Sequence, residues 1–204
     1  MKSANAILLT LGVVLLCGMP VFAQDKGPSE VAVDYSYIRA HANKSLVQPF
    51  NLNGAGGSYV YFFHNSIGVK AEFTGYGSTT QHYAATCSGE PCNLAVSGNL
   101  FTYAGGLEVK SRSSRWQPFG DLLFGGAHTN AYANLFQATG NTGASPSNNG
   151  FALIVGGGID VGVSKNIALR LGEFDYLLMH FGNAALGGGN TSSFRYQAGV
   201  VFNF

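Results

Sequence analysis

The chain has 204 residues, of which only 10% are charged, and a formal net charge of +1, whereas ordinary soluble domains carry about 25% charged residues. Cations this few and scattered exclude a nucleic-acid-binding surface, and a soluble domain so poor in charge would have trouble covering itself with polar groups. Glycine, at 29 residues, is about twice its average share, which suits tight bends and crowded barrel interiors and argues against a helical protein.

The first stretch has a basic start at Lys2, an apolar run from Ala6 to Leu16 and a small-residue site, Val21-Phe22-Ala23. That is the layout of a secretory signal peptide cleaved after Ala23. The run is shorter than the ~20 residues of a spanning helix and no basic stop-transfer flank follows it. Leu16 is too bulky for a lipoprotein site at Cys17, so Cys17 is expected to leave with residues 1–23, and 24–204 form one mature domain. No later segment is a long apolar run. Any membrane crossing must therefore be made by strands.

Eight alternating segments follow. In "EVAVDYSYIR" Val31, Val33, Tyr35 and Tyr37 oppose Ala32, Asp34 and Ser36. After a polar stretch over 40–53, "GAGGSYVYFFHN" sets Tyr59, Tyr61 and Phe63 on one face, and the short turn at 64–66 leads into "IGVKAEFTGY", where Lys70 and Glu72 lie on the polar side. A connection over about 77–99 holds "CSGEPC". In an exported chain this close pair, Cys87 and Cys92, reads as a local disulfide. A metal site would need more soft ligands, and a redox motif needs C-x-x-C.

"LFTYAGGLEVK" carries Glu108 opposite an apolar row, and "QPFGDLLFGGAH" carries Asp121. A Gly/Asn/Ser-rich connection over about 129–150 precedes "FALIVGGGIDVGV", with Asp160 on its small-residue face, and "IALRLGEFDYLLMHF", with Arg170 on its polar face. In the second half of that segment Glu173 and Asp175 fall on the apolar parity, which predicts a bulge or the strand leaving the membrane. After a further polar stretch over 182–192, "FRYQAGVVFNF" sets Phe194, Tyr196, Ala198, Val200, Phe202 and Phe204 on one face and Arg195, Gln197 and Asn203 on the other.

Short turns near Asn65, Ser113 and Lys165 alternate with long polar connections. That asymmetry is the signature of an outer-membrane barrel with an even strand number, and a soluble lipocalin-type barrel has no reason to keep it beside a charge-poor, aromatic-rich face. Unpaired backbone groups are costly in hydrocarbon, so the last strand must pair with the first. The reading is all-β: an eight-stranded antiparallel up-and-down transmembrane barrel behind a signal peptide, located in the outer membrane.

In its order of signal peptide, hairpin "YVYFFHNSIGVKAEFTGYG" and closing strand "FRYQAGVVFNF", the chain resembles the OmpA-like small outer-membrane β-barrels of Gram-negative bacteria. The resemblance implies that Phe204, with Tyr196, Val200 and Phe202, is the signal read by the barrel-assembly machinery. It also implies contact with outer-membrane lipid and lipopolysaccharide. OmpA carries a peptidoglycan-binding domain after its barrel, and this chain stops at the barrel, so cell-wall tethering is not expected.

An eight-stranded lumen is filled by side chains. The inward parities supply Asp34, Lys70, Glu72, Glu108, Asp121, Asp160, Arg170 and Arg195, which are expected to pair as a structural salt-bridge network, since an isolated buried charge is costly. A sharper alternative is a narrow gated ion path in which Arg170 and Arg195 exchange partners. A lipid-modifying enzyme is another, with His41, His82, His128 and His180 near the long connections and Ser192 and Ser193 after His180, but no motif fixes a nucleophile. The histidines lack metal-ligand spacing, and "VGGGIDVG" lacks the spacing of a dinucleotide loop. No cofactor, metal or catalytic residue is expected. The long connections are where an extracellular ligand would bind.

Overall fold

In the computed structural model the described residues are 27–41, 50–77, 81–87, 90–96, 99–129, 148–181 and 189–204. They form β1 (Ser29–His41), β2 (Phe50–His64), β3 (Ile67–Tyr76), β4 (Gln81–Cys87), β5 (Glu90–Val96), β6 (Leu100–Lys110), β7 (Trp116–Thr129), β8 (Asn148–Gly162), β9 (Ile167–Phe181) and β10 (Gly189–Asn203). Eight of these close into a barrel in the order β1-β10-β9-β8-β7-β6-β3-β2, and β4 and β5 form a separate two-stranded hairpin between β3 and β6.

The first and last strands pair antiparallel from Glu30↔Asn203 to His41↔Ser192. This seam is tied at its end by Phe204 N–H donating to Ser29 O at 2.9 Å. Closure leaves none of the eight barrel strands without a neighbour on either side, the condition for a sheet to lie in hydrocarbon. The tight turns 65–66, 111–115 and 163–166 lie at one end, with Gly27 and Phe204. The β4–β5 hairpin joins its strands at the opposite end, called here the loop end.

Alternation sorts the side chains as the sequence predicts. Val33, Tyr35, Tyr59, Tyr61, Phe101, Tyr103, Phe202 and Phe204 face outward, with Val69, Phe73, Leu107, Leu122, Phe124 and Val155 between the aromatic rows. Outward rings pack on one another across strands: Phe174 on Tyr196 at 5.1 Å and Tyr176 on Phe194 at 5.3 Å. This apolar exterior with aromatic ends is the surface a bilayer requires.

The walls are longer than the alternation of apolar residues suggests. β2 begins at Phe50, β8 at Asn148 and β10 at Gly189, inside stretches whose polarity predicts connections, and the 77–99 connection contains the β4–β5 hairpin. Near the loop end the outward residues include Arg39, Asn51, Asn53, Asn149 and His180, all exposed. There the strands continue although their outer face no longer needs to be apolar. Tyr35 marks the transition, its hydroxyl donating to Asn53 Oδ1 at 2.6 Å.

β9 departs from regular pairing at the point the sequence signals. Ile159 and Asp160 of β8 oppose Gly172 and Arg170, leaving Leu171 as the extra residue, and the register with β10 shifts at the same place. This bulge reverses the in–out parity, so Glu173 and Asp175 turn into the lumen and Phe174 and Tyr176 face out.

Candidate functional site

The lumen carries the concentrated chemistry of the chain. All eight expected residues, Asp34, Lys70, Glu72, Glu108, Asp121, Asp160, Arg170 and Arg195, are buried in it. Strand alternation places each of them, since every one sits on the parity opposite an outward apolar row. Glu30, Lys110, Glu173 and Asp175 join them, beyond the residues that alternation assigns to the lumen. Glu173 and Asp175 were hidden by the bulge. Glu30 and Lys110 sit at strand ends beside the turns, where alternation has too few residues to assign a face. Of the ten acidic residues in the chain, eight point into this interior.

Near the turn end Lys110 bridges Glu30 and Asp160, the latter at 2.7 Å, and Arg112 Nε donates to Glu30 Oε1 at 3.1 Å. At mid-height Lys70 Nζ donates to Asp121 Oδ2 at 2.5 Å and to Glu173 Oε1 at 2.8 Å. β3 and β9 are opposite in the barrel order, so the Lys70–Glu173 pair spans its diameter. Glu173 also accepts from Arg170 Nη1 at 2.7 Å, and Arg170 reaches Asp160 at 3.0 Å and Asp34 at 3.4 Å. Toward the loop end Arg195 holds Glu72 through both terminal nitrogens and Asp175 through Nε at 2.7 Å. These pairs link β1, β3, β6, β7, β8, β9 and β10.

The Phe119 ring lies among the cations, 4.6 Å from Arg170 Cζ, 5.6 Å from Lys70 Nζ and 5.7 Å from Lys110 Nζ. Its π face is a second, uncharged partner for side chains removed from water. Beyond Arg195 the interior turns apolar. Ile38, Leu52, Tyr76, Leu100, Leu123, Ile154, Leu177 and Met179 form one buried cluster in the loop-end half. Alternation predicts only the charged part of this filling, because these apolar residues share the polar parity and appear there as isolated exceptions.

Among the described residues the acidic grouping with metal-like spacing is Asp121, Glu173 and Asp175, with ligand oxygens within 4.8 Å of one another. The Lys70 ammonium already makes its short contacts to two of the three, so a cation of the chain's own occupies that position. His128 Nδ1 lies 2.6 Å from Asn149 Oδ1 at the loop end. His180 is exposed on the outer face whereas Ser193 is fully buried, so the wall separates them. The side chains of His41, His82, Cys87 and Cys92 lie outside the described residues. The backbone register sets Cys87 opposite Glu90 and Cys92 opposite Ala85, a diagonal relation across the hairpin.

No family profile matches the sequence, and no curated protein sequence matches it. Solved structures do. Neisserial surface protein A superposes with a TM-score of 0.62 at 14% identity, over 89% of this chain and all (100%) of that one. Ail, the attachment invasion locus protein of Yersinia pestis, in complex with the heparin analogue sucrose octasulfate, gives 0.53 at 16% identity, over 88% and 100%. The outer membrane protein OprG from Pseudomonas aeruginosa gives 0.50 at 14%, over 91% and 99%. The architecture is that of the small eight-stranded outer-membrane barrels.

Proposed function

We propose that the chain is an integral outer-membrane protein, without enzymatic activity, whose sealed barrel displays the β4–β5 hairpin and the long connections as a structural and surface-contact element. The observation that carries this reading is the filling of the lumen. Ion pairs cross its diameter through Lys70 and Glu173, and the apolar cluster around Leu123, Ile154 and Leu177 lies between them and the loop end. Chemistry on a diffusible substrate needs an accessible polar cleft, and conduction needs a wetted path; neither is favoured by this packing. Recognition is then left to the loops carried on a rigid scaffold.

The neighbours support the same reading. Two of the similar folds are described as a surface protein and as an attachment and invasion protein, the second in complex with a heparin analogue. Partners proposed for this chain are outer-membrane lipid and lipopolysaccharide along the apolar wall, the barrel-assembly machinery at Tyr196, Val200, Phe202 and Phe204, and an extracellular ligand at the loops. Export would remove residues 1–23, and the Cys87–Cys92 disulfide would form in an oxidising compartment.

The test is fractionation of cells together with an antibody raised against residues 81–96. Heat-modifiable protein in the outer-membrane fraction, labelled on intact cells and silent in planar bilayers, is the expected result. Labelling only after the outer membrane is breached would overturn the display role, and steady conductance would restore the gated path.

A further inference from the structure

Glu108 on β6 and Asp121 on β7 are direct cross-strand partners, and both point into the lumen. Among the described residues no other ladder position sets two acids opposite each other. Asp160 faces Arg170 and Asp175 faces Arg195. Like charges placed directly opposite destabilise a sheet even where water screens them, and here there is little water: Glu108 is 0% and Asp121 6% exposed.

The surrounding cations do not resolve the conflict. Lys70 on β3 makes its short contacts to Asp121 Oδ2 and Glu173 Oε1, and stands 3.7 Å from Glu108. Lys110, on the same strand as Glu108, is held by Glu30 of β1 and Asp160 of β8. Arg170 of β9 is held by Asp160, Glu173 and Asp34 of β1, and Arg195 of β10 by Asp175 and by Glu72 of β3. Both oxygens of Glu108 and Oδ1 of Asp121 are buried without a hydrogen-bond partner. Among the described residues eight carboxyl groups are thus buried in the lumen against four buried cations, Lys70, Lys110, Arg170 and Arg195, with the half-buried Arg112 and Arg115 in the turn at its rim.

We propose that Glu108 and Asp121 are a proton-binding pair. Glu108 takes a proton from solvent and, as a carboxylic acid, donates it toward the unpartnered Oδ1 of Asp121, which stays a carboxylate. The couple then bears one negative charge, matched by Lys70, and one orphaned oxygen of Glu108 and Oδ1 of Asp121 each gain a partner. Two carboxyl groups confined to one dry site do not both ionise, and a buried polar atom without a partner is costly, so one bound proton relieves both penalties. This goes beyond the display role and does not depend on it.

The measurement is the infrared spectrum of the full barrel refolded in detergent at neutral pH, unlabelled and with carbon-13 in the glutamate carboxyl groups. A carbonyl band of protonated carboxyl is expected, moved by the glutamate label, lost in Glu108→Gln, and unchanged on adding potassium or calcium chloride. Absence of the band in the unaltered protein, or indifference to the label, overturns the proposal. Loss of the band on adding either salt overturns it too, and would make the pair a cation site. Should Glu108→Gln fail to fold, Asp121→Asn is read instead: its altered acceptor must shift the labelled band, and an unshifted band counts against the pair.

Discussion

Lys70 is the side chain on which the lumen most depends, because four carboxyl groups approach it within 3.8 Å and it is fully buried. Truncating one partner of a buried ion pair leaves an uncompensated charge, so Lys70→Met is expected to cost about 3–5 kcal/mol. Urea titration of the barrel refolded in lipid vesicles would measure it, and a loss near zero would mean that water enters the lumen. On the other face the opposite rule holds. Leu122, outward at the middle of β7 and opposite Val155, meets only hydrocarbon, so Leu122→Arg is expected to cost about 2–4 kcal/mol in the same titration. A change of similar size at Ser114, in a turn, would show that depth in the bilayer is not the cause.

The element that shapes the site is the bulge in β9. One extra residue at Leu171 lets a single strand offer Arg170 from its first half and Glu173 and Asp175 from its second to the same interior. Deleting Leu171 would restore plain alternation and leave all three charges inward, so the folded, heat-modifiable fraction is expected to survive. Deleting Tyr176 adds no such repair: it would turn Leu177 and Met179 outward or Asp175 into lipid, and folded protein should be lost. If both deletions behave alike on a heat-modifiability gel, the bulge does not set the parity. The β1–β10 seam is the other decisive element. Phe204 and Ser29 exchange backbone hydrogen bonds at 2.9 and 3.4 Å, and Phe204 is the proposed assembly signal. Removing it should lower the membrane yield of folded barrel more than Phe151→Ala, an exposed aromatic at the loop end; equal yields would contradict that role.

For the molecule as a whole, charge is segregated by solvent. Few charges are spent on the exterior, and the interior is held by ion pairs that cross from wall to wall, such as Lys70–Glu173 and Arg195–Glu72. Salt screens exposed pairs strongly and dry ones weakly, so the unfolding midpoint in vesicles is expected to change little between low and high potassium chloride. A marked fall with salt would place the network in contact with water. The same filled interior is why the loop end is proposed as the contact surface.

Periodicity by itself determined much of this protein. An alternation of period two, read residue by residue, assigns Lys70, Glu72, Glu108, Arg170 and Arg195 to one side and Tyr59, Tyr103 and Phe202 to the other, because a pleated strand has only two faces. Turn lengths order the strands, and the cost of open edges in lipid closes them. Tertiary structure decided what alternation cannot encode. Which cation meets which carboxyl depends on strands far apart in the chain, as with Glu72 and Arg195. The reach of β2, β8 and β10 into polar sequence follows from ladder hydrogen bonds that ignore side-chain polarity. The opposition of Glu108 to Asp121 is a matter of register, and register is set by the whole cylinder.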